Sequence, residues 1–454
     1  MISSRRDFLK GIASGALISA VAPNRAFSIG AVSTADVIFI KRGEGDYQNY
    51  RQPFNKRITL QPAVIAVCKN ERGVVEAVRY AATNKLPIAI KSGGHCFEGY
   101  SLNEGGLMIE LSAMNDLSLR GEQLKAGPGC KLAQLYDYML PRGRLIPTGS
   151  CGGVGLAGLT CDSLNRVRMI DGQGKIRDSR DEPELLWACR GGGNGNFGVI
   201  THFEFDTHPA PELFHAYRFK YANLTPKKIA ELVERWFAVT PGLPAESFSA
   251  FVASGKTVTI LVTSFASAQD HPAQVLNEFR RDATNALPVQ RDVLQKSLKR
   301  YYGRKDPLYF KNVSAGFYRN FSDIKSIAEE MFQLVADHPG MLFQINTFGG
   351  KSVIHEAAYS AFPYRDYVFI GELQFYWDSP SQESKAVTAV KSFQRLLWQY
   401  GVHAHYCNYP DIDLENWMEA YYGKNNYQQL QAIKKIYDPE DRIRHPQSVR
   451  LPPS

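Results

Sequence analysis

One histidine and one cysteine stand out in this sequence because glycines surround both of them. His95 follows two glycines in KSGGHCFEGYS, residues 91–101, and Cys151 lies within LIPTGSCGGVGLAG, residues 145–158. Glycine lets the backbone approach a partner closely and adopt dihedral angles that other residues avoid. A buried structural cysteine normally packs among apolar side chains instead. Each stretch alone also fits an ordinary turn, but together they favour a backbone that lies against a flat bound group.

A third glycine-rich stretch, RGGGNGNFGVIT at residues 190–201, contains the spacing Gly193-x-Gly195-x-x-Gly198. This spacing indicates dinucleotide binding only where it follows a strand and opens a helix. Here the helical pattern of ELLWACR precedes it and the strand pattern of VITHFEF follows it. The order is reversed, which argues against a doubly wound nicotinamide-binding fold. A glycine-rich backbone that passes a polar ligand stays open.

Periodic patterns divide the rest of the chain into two parts. Up to about residue 211, short apolar strands such as 63–67 and 86–90 alternate with helical patterns, and Asp171-Gly172 predicts a hairpin. From residue 212 to about 402, several segments alternate apolar and polar residues as half-exposed antiparallel strands do, with helical patterns between them. The predicted strands are PELFHAYRFKY, ESFSAFVAS, KTVTILVTSFAS, GMLFQINTFGG and YVFIGELQFYW. The sequence therefore predicts an α+β fold in which an antiparallel sheet, covered by helices on one face, roofs a site.

The composition bounds the class of protein. A chain of 454 residues that is 44% hydrophobic can bury a large core in two or three domains. The net charge of +8 is mild, and basic residues alternate with acidic ones, which argues against a nucleic-acid partner. The seven cysteines form no CxxC pair and no zinc-like spacing, so no metal site is predicted. Their odd number leaves at least one cysteine unpaired or otherwise engaged.

The first 28 residues have the character of an export signal. The basic start SSRRDFLK precedes an apolar run from Gly11 to Ala22, and small residues follow in PNRAFS. The run is too short for a membrane span of about 20 residues, so no permanent membrane anchor is predicted. Arg5-Arg6 followed by Phe8 and Leu9 resembles a twin-arginine signal. That resemblance implies the twin-arginine export machinery as a partner, a periplasmic or secreted protein, and a cofactor inserted before export.

Four motifs in order resemble the berberine bridge enzyme-like FAD-linked oxidases. They are IAIKSGGHCFEGYS, PTGSCGGVGLAG, ELLWACRGGGNGNFGVIT, and a C-terminal segment that begins YCNYPDIDLENW and ends HPQSV. The resemblance covers nearly everything after residue 45 and implies a bacterial exported member with a two-subdomain FAD-binding fold of the p-cresol methylhydroxylase type. The implied organisation is a signal over 1–28, an FAD-binding domain over 45–211, a substrate-binding domain over 212–402, and a segment over 403–454 that returns to the FAD domain.

The resemblance also implies how FAD is held. His95 matches the family histidine bonded to the 8-methyl carbon of the flavin, and Cys151 matches the cysteine bonded to ring carbon 6. Residues 91–94 then line the pyrophosphate, and residues 198–200 touch the flavin end through their backbone. Besides His95 and Cys151, the cofactor contacts that the resemblance implies are Lys91, Ser92, Gly93, Gly94, Gly149, Val154, Gly155, Gly198, Val199, Ile200 and Asn408.

The implied reaction is an oxidation at a CH–OH group. A hydride passes from an alcohol carbon, as in a sugar or oligosaccharide, to the flavin, and dioxygen reoxidises the flavin to give hydrogen peroxide. Tyr406 of the YCN motif matches the family's tyrosine base, and Glu372 matches an active-site Glu or Gln. From the residues alone, two ordinary readings stay open: Tyr406 as a buried tyrosine of the core and Glu372 as a solvated strand residue. Val154 matches a position where relatives with valine tend to react with oxygen.

Two departures from the family pattern leave other functions open. Relatives usually carry a further glycine-rich run after Gly158, whereas here LTCDSL follows at once. Lys91 also stands where arginine is commoner. The missing run lies near the flavin in the family and bears on full attachment and on activity. The alternatives are therefore an FAD-linked dehydrogenase that uses another acceptor, and an inactive, flavin-poor binding protein.

Overall fold

The computed structural model describes residues 34–149, 159–193, 195–265, 273–299, 303, 306–348 and 357–453. The predicted signal segment and three predicted cofactor contacts, Cys151, Val154 and Gly155, lie outside these residues. Within them, no helix combines the length and the apolar character that crossing a bilayer requires.

A four-stranded sheet in the order β1-β2-β4-β3 opens the described chain. Strands β2, β3 and β4 run parallel, and β1 pairs antiparallel with β2. All five side chains of β2, VIAVC, are buried, as is typical of a parallel strand covered on both faces. The sheet includes a strand that precedes residue 45, the predicted start of the domain. The elements are β1 (Val37–Lys41), β2 (Val64–Cys68), β3 (Ile88–Lys91), β4 (Leu107–Glu110), α1 (Tyr47–Arg51) and α2 (Glu71–Thr83).

A five-stranded antiparallel sheet in the order β5-β6-β10-β8-β9 packs against α2 and the first sheet. Its β8-β9 pair forms the hairpin predicted at Asp171-Gly172. Helix α4 precedes β10, so the glycine-rich stretch between them has the order read from the sequence. The elements are β5 (Leu117–Arg120), β6 (Gln123–Ala126), β7 (Arg144–Leu145), β8 (Leu164–Asp171), β9 (Ile176–Asp178), β10 (Gly198–Asp206), β11 (His208–Pro209), α3 (Leu132–Met139) and α4 (Pro183–Cys189).

A seven-stranded antiparallel sheet in the order β15-β12-β14-β13-β17-β18-β16 forms the second part. Successive side chains along a strand point to opposite faces, and the apolar set packs against the helices to form the largest core. The elements are β12 (Leu213–Tyr221), β13 (Ser247–Ser254), β14 (Thr257–Ser264), β15 (Asn285–Val293), β16 (Tyr309–Tyr318), β17 (Met341–Thr347), β18 (Phe369–Trp377), α5 (Pro226–Val239), α6 (Ala273–Arg280), α7 (Leu294–Lys299), α8 (Ala328–Asp337) and α9 (Glu383–Gln399).

The carboxyl-terminal segment packs on the first part of the molecule. Helices α10 (Trp417–Tyr422) and α11 (Lys424–Tyr437) contribute to the core beneath the five-stranded sheet, and Ile443 pairs with Ile88 beside β3. The α+β prediction is confirmed. Strands β15 and β16 were not predicted from the sequence, and β16 turns out to hold much of the candidate site.

Candidate active site

Residues 91–95 form a loop at the carboxyl end of β3 whose backbone donors are available. Among the residues that the structure describes, none accepts a hydrogen bond from the N–H groups of residues 92–95. Gly94 adopts a left-handed conformation with φ of 70°. Successive N–H groups around a left-handed residue form a concavity that binds anionic oxygens. The loop therefore offers its N–H groups to an anion, and the pyrophosphate of a dinucleotide such as FAD fits it.

The Lys91 and Ser92 side chains are already engaged within the protein. The Lys91 ammonium lies 3.0 Å from a Glu110 carboxylate oxygen and donates to the Tyr50 carbonyl. The Ser92 hydroxyl donates to the Pro128 carbonyl at 2.5 Å. The Lys91 charge is therefore balanced by Glu110, and the loop offers a ligand its backbone rather than these side chains.

His95 lies at the end of this loop with its ring stacked on Phe54. The ring centroids are 4.3 Å apart and the planes are inclined by 21°. Burial, with a smaller contribution from the Lys131 charge, lowers the pKa of His95 to about 4. The imidazole is therefore neutral at physiological pH and keeps the nitrogen lone pair that bonding to a carbon atom requires. Its type, protonation state and fixed ring plane fit the predicted attachment to FAD.

The start of β10 leaves one strand edge open. Strand β8 pairs with β10 from Gly198 onwards, whereas β6 pairs only with Phe203–Asp206. Residues 198–200 therefore have backbone groups on one edge that no strand among the described residues pairs with. The absence of a side chain at Gly198 has its own cause, because a Cβ there would lie 2.5 Å from Met169.

Gly149 is the last predicted cofactor contact before the residues that the structure does not describe. Its carbonyl accepts a hydrogen bond from the Tyr136 hydroxyl at 2.9 Å.

Tyr406 is buried and is held against β16. Its backbone N–H donates to the Ser314 hydroxyl at 2.9 Å, and the Ser314 N–H donates to the Tyr409 carbonyl at 2.8 Å. The Asn408 amide donates to the Tyr406 hydroxyl oxygen at 2.9 Å. Burial raises the pKa of Tyr406, and the hydrogen bond from Asn408 acts in the opposite direction. The Tyr-x-Asn motif thus places an amide donor on the phenol oxygen, where it stabilises the deprotonated form.

Glu372 lies in the middle of β18, paired with Ser314 of β16 on one side and with Gln344 of β17 on the other. Its exposed fraction is 7%, so the reading of Glu372 as a solvated strand residue is wrong. Burial raises its pKa to about 7, and a hydrogen bond from Gln374 opposes the shift. A buried carboxyl group with this pKa changes its charge in the physiological range, which is typical of functional sites.

A network of uncharged polar side chains continues from Glu372 across the same face of the sheet. The Asn312 amide donates to the Tyr376 hydroxyl at 2.9 Å, and that hydroxyl donates to Gln374 at 3.1 Å. On β17, the Gln344 amide donates to Asn346 at 2.8 Å. Amides and hydroxyls that are fixed by one another are suited to hydrogen-bonding a polyhydroxylated ligand. The sequence did not predict these residues, although the alternation in ELQFYW was a signal for the part on β18.

Aromatic contacts join the His95 loop to the seven-stranded sheet. Phe97 stacks on Tyr409 with ring centroids 5.6 Å apart and meets Phe310 of β16 edge-on at 5.7 Å. Phe54, which stacks on His95, also contacts Phe310. The structure therefore brings the predicted flavin-attachment residue, the predicted base and Glu372 to one interface. The described residues contain no cluster of three or more His, Cys, Asp or Glu that could hold a metal ion.

Two family models match the segments that carry the His95 loop and Tyr406. The FAD binding domain model matches residues 62–180, which include the His95 loop. The berberine and berberine like model matches residues 405–450, which include Tyr406 and Asn408. With the unpaired donors of the His95 loop, these matches define the chain as an FAD-binding oxidoreductase.

Individual relatives extend the similarity over the whole chain. The uncharacterized FAD-linked oxidoreductase YvdP of Bacillus subtilis is 28% identical, covering 93% of this chain and 98% of that protein. A chitooligosaccharide oxidase of Gibberella zeae is 26% identical, covering 95% and 96%. The solved structure of Physcomitrella patens BBE-like 1 shares the fold with a TM-score of 0.83 at 20% identity, covering 92% and 98%. The resemblance to the berberine bridge enzyme-like FAD-linked oxidoreductases that the four motifs predicted is confirmed by both family models and by these relatives.

Proposed function

We propose that this protein is an oxidase that removes a hydride from the alcohol carbon of a sugar or oligosaccharide and reduces dioxygen to hydrogen peroxide. The observation that carries the proposal is the contact between Asn408 and the Tyr406 hydroxyl, on the interface that also holds Glu372 and the His95 loop. It combines a proton acceptor with a polar sheet face beside the residues that fit FAD. When bound, FAD supplies the hydride acceptor and passes the electron pair to oxygen.

Residues of the chain accept the substrate proton, hold the accepting group in position and set the charge of the site. Tyr406 accepts the hydroxyl proton of the substrate, and Asn408 favours this by donating a hydrogen bond to the phenol oxygen. Ser314 holds the Tyr406 backbone to the sheet, so the hydroxyl keeps its position. Glu372 is neutral below its pKa of about 7 and negatively charged above it, and therefore changes the field at the site within the working pH range.

The proposal includes covalent attachment of FAD through His95 and through Cys151. Each bond would replace one C–H bond of the ring system and one N–H or S–H bond of the protein, and the two protons and two electrons released would reduce dioxygen to hydrogen peroxide. A neutral, buried imidazole held against Phe54 supports the His95 bond. For Cys151, the support is the family motif PTGSCGGVGLAG. Two covalent bonds prevent loss of FAD after export and raise its reduction potential, which favours oxidation of an unactivated alcohol carbon.

The carbohydrate substrate is supported by the chemistry of the sheet face and by the names of relatives. Asn312, Gln344 and Gln374 offer amide donors and acceptors on the side of the sheet that meets the His95 loop. Relatives of similar length include a carbohydrate oxidase and a chitooligosaccharide oxidase. Oxidation at the anomeric carbon of a reducing sugar yields a lactone, two electrons and two protons, which balance the reduction of dioxygen to hydrogen peroxide.

The test uses the purified full chain from its exporting host. Intact mass after denaturation reads covalent FAD, and peptide mapping assigns it to His95 or Cys151. Turnover is then measured with cellobiose, lactose and N,N′-diacetylchitobiose, with peroxide as the readout. Peroxide formed in proportion to lactone supports the oxidase. Turnover only with an artificial electron acceptor would identify a dehydrogenase. A colourless protein that does not bind added FAD would identify an inactive binding protein.

The same enzyme separates the roles of Tyr406 and Glu372. We expect kcat/KM to change with pH around an apparent pKa near 7, and we expect this change to be absent in Glu372→Gln. The Tyr406 role predicts a further rise in kcat/KM at higher pH, because burial raises the pKa of this tyrosine. A profile that is flat above pH 7 in the wild type contradicts Tyr406 as the base.

Export through the twin-arginine route is part of the proposal and has its own test. The signal predicted over residues 1–28 places the mature enzyme in the periplasm or outside the cell. Replacing Arg5 and Arg6 together by lysine is expected to retain the protein inside the cell, with the precursor mass. An unchanged distribution between cell fractions contradicts this route.

A further inference from the structure

Lys311 of β16 is the most deeply buried charged side chain at the interface between the His95 loop and the sheet. Its exposed fraction is 1%. The ammonium lies 2.7 Å from Glu98, 2.7 Å from Asp411 and 3.0 Å from Asp413, measured to the nearest carboxylate oxygen of each. A lysine ammonium has three N–H donors, so these three carboxylates account for all of them.

The three carboxylates come from segments that carry the proposed chemistry. Glu98 follows His95 by three residues in the glycine-rich loop. Asp411 follows Tyr406 by five residues, and Asp413 belongs to the same segment. Lys311 itself precedes Ser314, which holds Tyr406, by three residues on β16.

Neutral and charged contacts fix the carboxylates around this ammonium. The Ile412 N–H donates to the same Glu98 carboxylate at 3.4 Å, and the Gln394 amide of α9 donates to Asp411 at 3.1 Å. Arg57 pairs with Glu98. Lys391 lies 3.0 Å from Asp413 at the exposed rim. Burial alone would lower the pKa of Lys311, but Asp411 and Glu98 outweigh it and raise the pKa, so the ammonium stays charged.

Stability is a poor explanation for such a cluster. Desolvating several charges costs free energy that their attraction barely recovers, and a packed apolar side chain is often at least as stabilising. The best-attested use of buried ionic groups is to select one arrangement of the elements around them. Here the arrangement concerns the His95 loop, strand β16 and the Tyr406 segment.

We propose that Lys311 is a positioning residue of the active site, whose ammonium fixes the His95 loop and the Tyr406 segment to the sheet that carries Glu372. This proposal rests on the proposed function for its effect on turnover. Its effect on the attachment of FAD to His95 does not depend on the substrate. A displacement of about 1 Å between reacting groups lowers turnover by about 100-fold.

The test compares four forms of the FAD-loaded full chain: wild type, Lys311→Met, the double variant Lys311→Met/Asp413→Asn, and Val335→Ala. Methionine keeps the length of the side chain without its charge. The double variant removes one positive and one negative charge, which keeps the net charge of the cluster and preserves folding where the single variant does not fold. Val335 is fully buried in α8 on the helix side of the sheet, so its alanine variant loses stability without touching the interface.

We expect kcat to fall about 100-fold in both Lys311 variants, measured with the disaccharide that the wild type oxidises, while KM changes less than about threefold. The fraction of chains with FAD on His95, read by intact mass and peptide mapping, is expected to fall at least about twofold in both. Val335→Ala is expected to lower Tm while keeping kcat and the FAD fraction.

Three results would overturn the positioning role. The first is a Lys311→Met variant that keeps the wild-type kcat and FAD fraction. The second is a double variant that recovers both values after the single variant has lost them, which would identify charge balance as the cause. The third is a Val335→Ala variant that loses as much of both as the Lys311 variants do, which would identify stability as the cause. If the wild type itself turns over none of the sugars, the proposed function fails. If that wild type carries FAD on His95, the FAD fraction still decides the role of Lys311, and a wild type with neither turnover nor attached FAD overturns this role together with the proposed function.

Discussion

Apart from Lys311, which is in register with Phe375 on the helix side of the edge strand β16, the two faces of the seven-stranded sheet differ in character although the same strands form both. Leu373 of β18 is fully buried against the helices, together with Phe251 of β13 and Trp236 of α5. Its neighbour Glu372 points the other way, toward the His95 loop and Tyr406. Because the side-chain period of a strand is two, one residue separates a position that holds the fold from one that serves chemistry.

This difference shows where the stability of the site comes from. The helix-covered face buries apolar side chains, which contribute about 25 cal/mol for each Å² removed from water. On the opposite face, Glu372 and Asn346 are buried and form hydrogen bonds with their neighbours. Such hydrogen bonds contribute little net free energy to folding, because they replace hydrogen bonds to water. The polar face is therefore held in place by the apolar one, and substitutions on the two faces are expected to separate activity from stability.

The largest effect is expected on the polar side of this comparison, for Tyr406→Phe. Removing the hydroxyl abolishes proton acceptance from the substrate, so kcat/KM is expected to fall about 100- to 10,000-fold while Tm changes little. The matched control is Tyr364→Phe, because Tyr364 donates its hydroxyl to the Ala420 carbonyl within the same aromatic cluster. Peroxide release and thermal unfolding measure both. Equal losses of activity in the two variants contradict a special role for Tyr406.

The next effect belongs to the apolar face. Leu373→Ala leaves a cavity in the core and is expected to lower the free energy of unfolding by about 2–5 kcal/mol. Urea unfolding measures it, with Glu372→Gln as the adjacent control. Glutamine removes a buried ionisable group without leaving a cavity, so it is expected to keep or raise stability at pH 8. A Glu372→Gln variant as unstable as Leu373→Ala at pH 8 would contradict the division between the faces.

The pH dependence of stability sharpens the same comparison. The folded protein holds a proton on Glu372 up to a pKa of about 7, whereas the unfolded chain releases it near the ordinary glutamate pKa of 4.5. Between these values the unfolded state binds fewer protons, so the free energy of unfolding falls as pH rises, by up to about 1.4 kcal/mol per pH unit. Above pH 7 the contribution levels off.

Comparing wild type with Glu372→Gln by urea unfolding at pH 5, 6, 7 and 8 isolates this term, because all other groups titrate in both. The stability of the variant relative to the wild type is expected to increase from pH 5 to pH 7. A constant difference would mean that Glu372 is already charged in the folded protein at pH 5.

The sequence predicted the parts of the fold that local pattern determines. Apolar alternation in ELQFYW was sufficient for β18, and Asp171-Gly172 for the hairpin. Strand β16 was missed because Lys311, Asn312 and Ser314 interrupt its apolar pattern, and the partners that make these residues tolerable are distant in sequence. Lys311 meets Glu98 from 213 residues away.

Part of the site was also predictable from the sequence, and part of it needed the structure. The resemblance predicted His95, Tyr406 and Asn408 from motifs and Glu372 from its match to an active-site Glu or Gln, and the structure brings the segments that carry them to one interface. What the motifs could not give is the engagement of the Lys91 ammonium by Glu110, since that depends on the parallel pairing of β3 with β4. Long-range strand pairing decided this contact.

The smallest effect is expected at the edge of the apolar face, where Thr225 caps α5. Its hydroxyl accepts a hydrogen bond from the Lys228 N–H at 3.3 Å, ahead of Pro226 in the first turn. Thr225→Ala is expected to lower the free energy of unfolding by about 1 kcal/mol, because an N–H of the first turn loses its acceptor. Since α5 covers the apolar face alone, kcat and KM are expected to stay at wild-type values. A loss of kcat that accompanies this small loss of stability would show that motion of the covering helices reaches the polar face, and that the two faces are not independent.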